Sequence, residues 1–154
     1  YMLSVKMGAD IRNIHGFMAG EHGESQFAVW SSVHVSAMAM DSYCAKRGIV
    51  IDKDELVQDI VSSGAQVIKR KGVTNFAIVA ELCATIMGDR GSIFNVTSLL
   101  DNYYGISDVC ISVPCILGKG GVKEHIAYDF NEDEMVRLKA SARSMRNFMD
   151  DLKI

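Results

Sequence analysis

The spacing of apolar residues changes near the middle of this chain, from a helical period to a strand period. Between Asp52 and Gly88 apolar residues recur every three or four positions, whereas between Ile93 and Tyr128 the period shifts toward two. The connectors of the second region, at 102–105 and 118–121, are short and rich in glycine and asparagine, which favours an antiparallel meander. The pattern therefore predicts an α+β fold.

Capping residues set the predicted bounds of three helices. In chain order the signals are Asp52 with Glu55 and Gly72, Thr74 or Asn75 with Gly88, and Asn131 with Glu134. The first seven residues are interpreted as the last two turns of a further helix, stopped by Gly8. Because that helix has no start and position 1 is not methionine, we expect the chain to be a fragment cut inside a helix.

Composition narrows the class of protein. With 154 residues, 49% of them apolar and 23% charged, the chain is expected to form a single domain over residues 1–154 with one core. It has no basic and apolar leader and no apolar run near the roughly 18 residues of a membrane span, so we expect a cytoplasmic protein that does not enter membranes. A net charge of -3 argues against nucleic acid as a partner. The four cysteines show no C-x-x-C spacing, which favours reduced thiols over a zinc site.

The segment "GEHGESQF" places His22 between two carboxylates and two glycines. Extended stretches at 14–19 and 27–35, the second broken at Ser31-Ser32, are predicted to flank this loop. Glycines let the backbone bend tightly and let a substrate approach the ring. A catalytic imidazole also requires a partner on its second nitrogen, and the sequence does not assign that role to Glu21 or Glu24, which lie too close to His22 along the chain. A purely structural or exposed histidine is the alternative.

Other chemistries have weaker support. A metal site is conceivable from four residues but lacks a motif such as H-E-x-x-H; the four are His15, His22, Glu24 and His34. Ser25 lacks the G-x-S-x-G setting of a hydrolase nucleophile. The loop at 118–121 lacks the spacing of a phosphate-binding loop and is interpreted as a hairpin turn. No G-x-G-x-x-G occurs, so the chain has no evident dinucleotide-binding fold.

The stretch "NIHGFMAGEHGESQFAVWSS" closely resembles the active-site segment of L-lactate dehydrogenases, which typically read G-E-H-G-D-S, then a hydrophobic residue and W-S. The resemblance continues through "VIKRKGVTNFAI", through "SLLDNYYGISDVCISVPCILGKGGV" and into the final helix, so it covers essentially the whole chain. It implies the catalytic C-terminal domain of an NAD-dependent enzyme, with antiparallel strands packed against long helices. A homotetramer acting on a small 2-hydroxy or 2-keto acid is also implied.

The resemblance also implies roles for individual residues. His22 is the general acid and base, and Thr74 lines the substrate pocket. His15 matches the histidine with which bacterial allosteric members bind fructose 1,6-bisphosphate; a strand histidine without a ligand is the alternative. Gly64 and Ala65 stand where lactate-specific members usually have alanine and tyrosine, so Gly64 is expected to face the substrate side chain.

Departures from the family pattern leave alternatives open. The aspartate that orients the histidine and two substrate arginines of the family fall outside this chain, so we expect the isolated chain to be inactive and NAD to be bound mainly elsewhere. Glu24 replaces the usual aspartate. The change at Gly64 and Ala65 makes a dehydrogenase of bulkier 2-hydroxy acids, of the L-2-hydroxyisocaproate type, the second interpretation. A non-catalytic domain for oligomer assembly and effector binding is the third.

Overall fold

The structure, a computed structural model, describes residues 1–152, with side chains described for all of these except 76–78, 81 and 82. The helices are α1 (Met2–Met7), α2 (Met40–Arg47), α3 (Lys53–Lys71), α4 (Asn75–Gly88) and α5 (Glu132–Asp151). The strands are β1 (Ile14–His15), β2 (Met18–Ala19), β3 (Phe27–Ala28), β4 (His34–Val35), β5 (Met38–Ala39), β6 (Ser92–Leu99), β7 (Cys110–Gly118) and β8 (Gly121–His125). Antiparallel strands with helices confirm the α+β class.

The residues form two compact units. The first contains Tyr1–Phe17 and Ala28–Gly72, and the second contains Met18–Phe27 and the chain from Val73 onward. The first unit has a small antiparallel sheet in the order β1-β4-β5. Its core comes from α1, α2, β4 and the residue before β4, and comprises Met7, Val33, Val35, Met40 and Cys44.

Helix α3 of the first unit begins at the predicted residue. The Asp52 side chain accepts hydrogen bonds from the backbone N–H groups of Asp54 and Glu55, at 3.1 and 2.9 Å. Glu55 pairs with Lys6 of α1 at 3.2 Å. The apolar side chains of α3 are mostly not buried within this chain. Leu56 is fully covered, while Val61, Val67 and Ile68 are exposed.

The second unit is built around β7, the middle strand of a β6-β7-β8 sheet. The strands pair antiparallel, which confirms the predicted meander. Helices α4 and α5 and strand β2 all pack on β7, and the strand buries Ile111, Val113, Cys115 and Leu117. Helix α5 starts with the predicted capping box of Asn131 and Glu134.

The connection between β6 and β7 folds back onto the second unit. The Tyr103 hydroxyl donates a hydrogen bond to the carbonyl oxygen of Ile126 at 2.8 Å. Burial, with a smaller contribution from Tyr104, raises the pKa of Tyr103 to about 12. The connection is therefore part of the core and not a loose loop.

Two features differ from the sequence prediction. The stretch 14–19, predicted as one strand, forms β1 and β2, which lie in different sheets. Gly16 lies between them, and a Cβ at this residue would come within 2.8 Å of Val33 Cγ2. Helix α2 was not predicted, and its N-cap, Ala39, has no side-chain hydrogen bond to mark the start. The Ser31-Ser32 break is a short 3-10 turn over Trp30–Ser32.

Candidate active site

The segment that carries His22 leaves β2 at a fixed point. Gly20 and Ser112 of β7 exchange two backbone hydrogen bonds, of 3.0 Å from Gly20 N–H and 2.7 Å from Ser112 N–H. Just upstream, the Asn95 side-chain amide of β6 donates to the Met18 carbonyl oxygen at 2.7 Å. Two strands of the central sheet therefore fix where the loop begins.

A set of hydrogen bonds closes the loop onto helix α5. The Glu21 backbone N–H donates to Ser141 Oγ at 2.8 Å, and Ser141 Oγ lies 2.8 Å from Ser25 Oγ. Ser25 Oγ donates to Glu21 Oε2 at 2.7 Å, and the Ser25 N–H reaches the same oxygen at 3.1 Å. We call these three residues the serine–glutamate ring. The series of hydrogen bonds starts and ends at Glu21, and His22 is the next residue in sequence.

Both glycines that flank the Glu21-His22 pair are required by this geometry. Gly20 has φ of +95°, which L side chains rarely adopt, and a Cβ there would lie 2.8 Å from Ser141 Oγ. A Cβ at Gly23 would overlap Glu21 Oε1. The sequence pointed to tight bending at these glycines. The structure adds that their missing side chains make room for the ring.

The His22 side chain is exposed on this loop. Among the described residues, no hydrogen bond or ion pair to its ring is found. The Glu21 carboxylate is engaged by Ser25 and does not serve as the partner of the imidazole. An exposed imidazole on a fixed backbone is suited to exchange a proton with a bound molecule.

Thr74 and Gly64 were both predicted to contact substrate. Thr74 is the N-cap of α4, is exposed, and makes no side-chain capping bond. Gly64 lies within α3, where an added Cβ would meet no atom within 4 Å. Thr74 belongs to the same unit as His22, and Gly64 belongs to the first unit.

His15, the predicted effector residue, is exposed in β1 of the first unit. It pairs directly with His34 of β4, whose Nδ1 lies 2.9 Å from the Ser32 carbonyl oxygen. Directly opposed residues on antiparallel strands place their side chains on the same face. The structure therefore brings His15 and His34 together.

The remaining candidates are resolved by local contacts. Within residues 1–152 as described, no group of three or more His, Cys, Asp or Glu side chains is arranged to hold a metal ion, and no helix is long and apolar enough to cross a membrane. The turn between β7 and β8 is a hairpin, as interpreted from sequence. Its Lys119 N–H donates to the Asp89 carboxylate at 2.8 Å. All four cysteines are free.

Ser141 was not singled out from the sequence, although a signal was present. It sits on the buried face of α5 beside Ala142 and one turn from Leu138, and only 1% of its surface is exposed. A serine on an otherwise apolar helix face usually has a specific hydrogen-bond partner. The pattern therefore indicated a buried contact but could not say which segment supplied it.

Comparison with known proteins identifies the domain. Residues 1–153 match the family model of the lactate/malate dehydrogenase, alpha/beta C-terminal domain. The chain is 36% identical to an L-lactate dehydrogenase of Treponema denticola, over 99% of this chain and 50% of that protein. It is also 36% identical to L-lactate dehydrogenase 1 of Clostridium acetobutylicum, with the same two coverages.

Solved structures agree with this assignment. An L-lactate dehydrogenase from Clostridium thermocellum superimposes with a TM-score of 0.84 at 32% identity, covering 100% of this chain and 52% of that one. A lactate dehydrogenase from a deep-sea metagenome library gives a TM-score of 0.89 at 27% identity, covering 100% and 51%. The chain thus spans about half the length of the relatives it matches. The chain belongs to the lactate/malate dehydrogenase family and corresponds to its C-terminal domain.

Proposed function

We propose that this chain is the catalytic half of an NAD-dependent L-lactate dehydrogenase in which His22 is the proton donor and acceptor. The observation that carries the proposal is the exposed His22 ring on a loop held by Ser112 and Ser141. Family membership and the names of the relatives support it. The proposed full-length enzyme consists of this chain joined to a nucleotide-binding half.

The proposed chemistry is a balanced reduction of a 2-keto acid. The His22 imidazolium donates its proton to the C2 oxygen of pyruvate while C2 accepts a hydride, which gives L-lactate, and the reverse reaction returns the proton to the neutral ring. NAD, when bound, supplies or removes that hydride. Thr74 is exposed, and its hydroxyl, which makes no helix-capping hydrogen bond, contributes to the proposed substrate pocket.

NAD is proposed to be held mainly by the other half of the enzyme. The 154 residues contain no G-x-G-x-x-G turn to receive a dinucleotide, and the relatives have about as much chain again. The test compares NADH oxidation with pyruvate by the isolated chain and by the full-length enzyme. We expect turnover only in the full-length enzyme. If the isolated chain turned over faster than its His22→Ala variant, NAD would not have to be bound by the other half of the enzyme. An inactive full-length enzyme would contradict the proposed dehydrogenase function.

Substrate breadth is the part of the proposal that depends on Gly64. A Cβ placed there meets no described atom of the surrounding structure within 4 Å, and Ala65 is exposed. We propose that the enzyme accepts 2-keto acids larger than pyruvate. An L-2-hydroxyisocaproate-type dehydrogenase is accordingly the second candidate function.

His15 is proposed to contribute to a site for fructose 1,6-bisphosphate. Its position opposite His34 places two imidazoles on one face. Imidazole N–H groups can donate hydrogen bonds to phosphate oxygens. Titration of full-length enzyme with fructose 1,6-bisphosphate should show binding that His15→Ala weakens. Equal binding by both proteins would leave His15 an ordinary strand residue.

A homo-oligomeric, cytoplasmic enzyme is the final element of the proposal. Helix α4 and strand β6 expose large apolar side chains, namely Val79, Ile86, Met87, Ile93 and Leu99. Such surfaces are typical of subunit interfaces. Light scattering of the isolated chain should therefore show association, and a monomer at high concentration would contradict it. Association together with a full-length protein that lacks dehydrogenase activity would favour the non-catalytic assembly domain.

A further inference from the structure

The serine–glutamate ring has a definite hydrogen-bond direction. Each serine hydroxyl has one hydrogen to donate, and an ionised carboxylate only accepts. Ser25 gives its hydrogen to Glu21 Oε2 at 2.7 Å, so the hydrogen between the two hydroxyls, 2.8 Å apart, must come from Ser141. Ser141 in turn accepts the Glu21 backbone N–H. The order is Glu21 N–H to Ser141, Ser141 to Ser25, and Ser25 to the Glu21 carboxylate.

Helix α5 makes Ser141 a rigid anchor for this ring. Leu138 and Ala142 on the same face are buried, and Ser141 itself is 1% exposed. The loop has no comparable rigidity of its own, because residues 21–25 form only bends and turns. The Glu21 backbone N–H is thus bonded directly to α5, and the Glu21 carboxylate is linked to the same helix through Ser25. Glu21 immediately precedes His22.

We propose that Ser141 is a positioning residue, which fixes the backbone beside His22 through Ser25 and the Glu21 carboxylate. The inference rests on the proposed proton transfer by His22. Ser141 does not touch the imidazole, and its effect comes from limiting the loop to one geometry. Proton and hydride transfer require the reacting atoms to be held closely in place, so loosening of the loop lowers turnover more than substrate binding.

The test uses turnover of the full-length enzyme at a temperature at which circular dichroism shows every variant folded. Ser141→Ala should lower kcat about tenfold and change KM for pyruvate much less, in keeping with the cost of small misplacements. The matched control is Ser144→Ala, which changes an exposed serine on the same helix. It should retain wild-type kcat. Equal kcat values for the two variants would overturn the inference.

A rescue experiment separates positioning from general loss of structure. Glu21→Gln keeps an oxygen that accepts the Ser25 hydrogen, so its kcat should stay within about threefold of the wild-type value. Glu21→Ala removes that acceptor, so its kcat should match that of Ser141→Ala. If Ser141→Ala does not fold, Ser25→Ala breaks the same ring from the loop and decides the question. Glu21→Gln and Glu21→Ala of equal activity would contradict the ring.

The outcome for His22→Ala keeps this inference distinct from the proposed function. An active His22→Ala enzyme would refute the proposed proton transfer by His22. An inactive His22→Ala with unaffected Ser141→Ala and Ser25→Ala would leave the proton transfer in place and refute only the positioning role.

Discussion

The His22 loop and the two predicted pocket residues, Gly64 and Thr74, are held in contrasting ways. The loop is bonded to β7 through Ser112 and to α5 through Ser141. Gly64, on α3 of the first unit, has open space around its Cβ position, and Thr74, at the start of α4 in the second unit, is exposed and makes no capping bond.

This difference indicates which part of the proposed site one domain can complete by itself. The loop of the proposed proton-transfer residue is bonded to β7 and α5 of its own unit. For Gly64 and Thr74, the described residues show no comparable set of hydrogen bonds. Catalysis and specificity should therefore respond differently to mutation.

Loss of the imidazole should have the largest effect. His22→Ala in the full-length enzyme should lower kcat for pyruvate reduction by at least about a hundredfold, as expected when a general acid is removed. His15→Ala, measured without a sugar bisphosphate, is the control because it removes an exposed histidine from the first unit. Near-normal turnover of His22→Ala would show that the ordered loop serves another purpose.

Gly20→Ala should break the loop itself. The substitution forces a side chain into φ of +95° and against Ser141 Oγ, 2.8 Å away. Backbone strain of this kind costs about 1 to 3 kcal/mol, and the contact adds to it. Urea unfolding of the chain should show a lower midpoint than wild type. An unchanged midpoint would mean that the loop is far more adaptable than its hydrogen bonds suggest.

The pocket wall should show its effect in specificity. Gly64→Ala/Ala65→Tyr should lower the ratio of kcat/KM for 2-ketoisocaproate to that for pyruvate. Each buried methylene contributes about 0.8 kcal/mol, and discrimination per carbon in apolar pockets rarely exceeds about 3 kcal/mol. A wild-type ratio below about one in a thousand, unchanged by the double substitution, would refute broad specificity and leave a plain lactate dehydrogenase.

Gly64→Ala alone should change the free energy of unfolding the least, and in the opposite direction to Gly20→Ala. Open space surrounds its Cβ position inside α3, so alanine should stabilise the chain by about 0.5 to 1 kcal/mol through helix propensity. Urea unfolding of both glycine variants in parallel provides the measurement. Destabilisation by Gly64→Ala would show that this helix surface is covered in solution.

Features encoded by neighbouring residues were predictable from the sequence. Asp52 and the Asn131–Glu134 box begin their helices by contacts over two or three residues, and both starts were predicted correctly. Helix α2 was missed because Ala39 provides no capping side chain. The meander followed from alternation and short turns, which are local as well.

The candidate site was predictable only in part. The motif around His22 identified the proposed proton-transfer residue, but the reason for Gly20 lies in a contact with Ser141, at a sequence separation of 120 from Glu21, and the reason for Gly23 lies in the position of the Glu21 carboxylate. No pattern within the loop reveals such a partner. Glu21 illustrates the limit, since its role in the ring depends on Ser25 and Ser141 together.

The sequence separation between the His22 loop and Ser141 also bears on how the protein is made. The segment Met18–Phe27 leaves the ribosome before the rest of its unit, which begins at Val73, and its anchor lies on α5. Contacts of such high sequence separation form late because closing the intervening chain costs entropy. A ribosome-bound chain ending before α5 should therefore expose the loop to proteases, and protection should arise only once that helix is released.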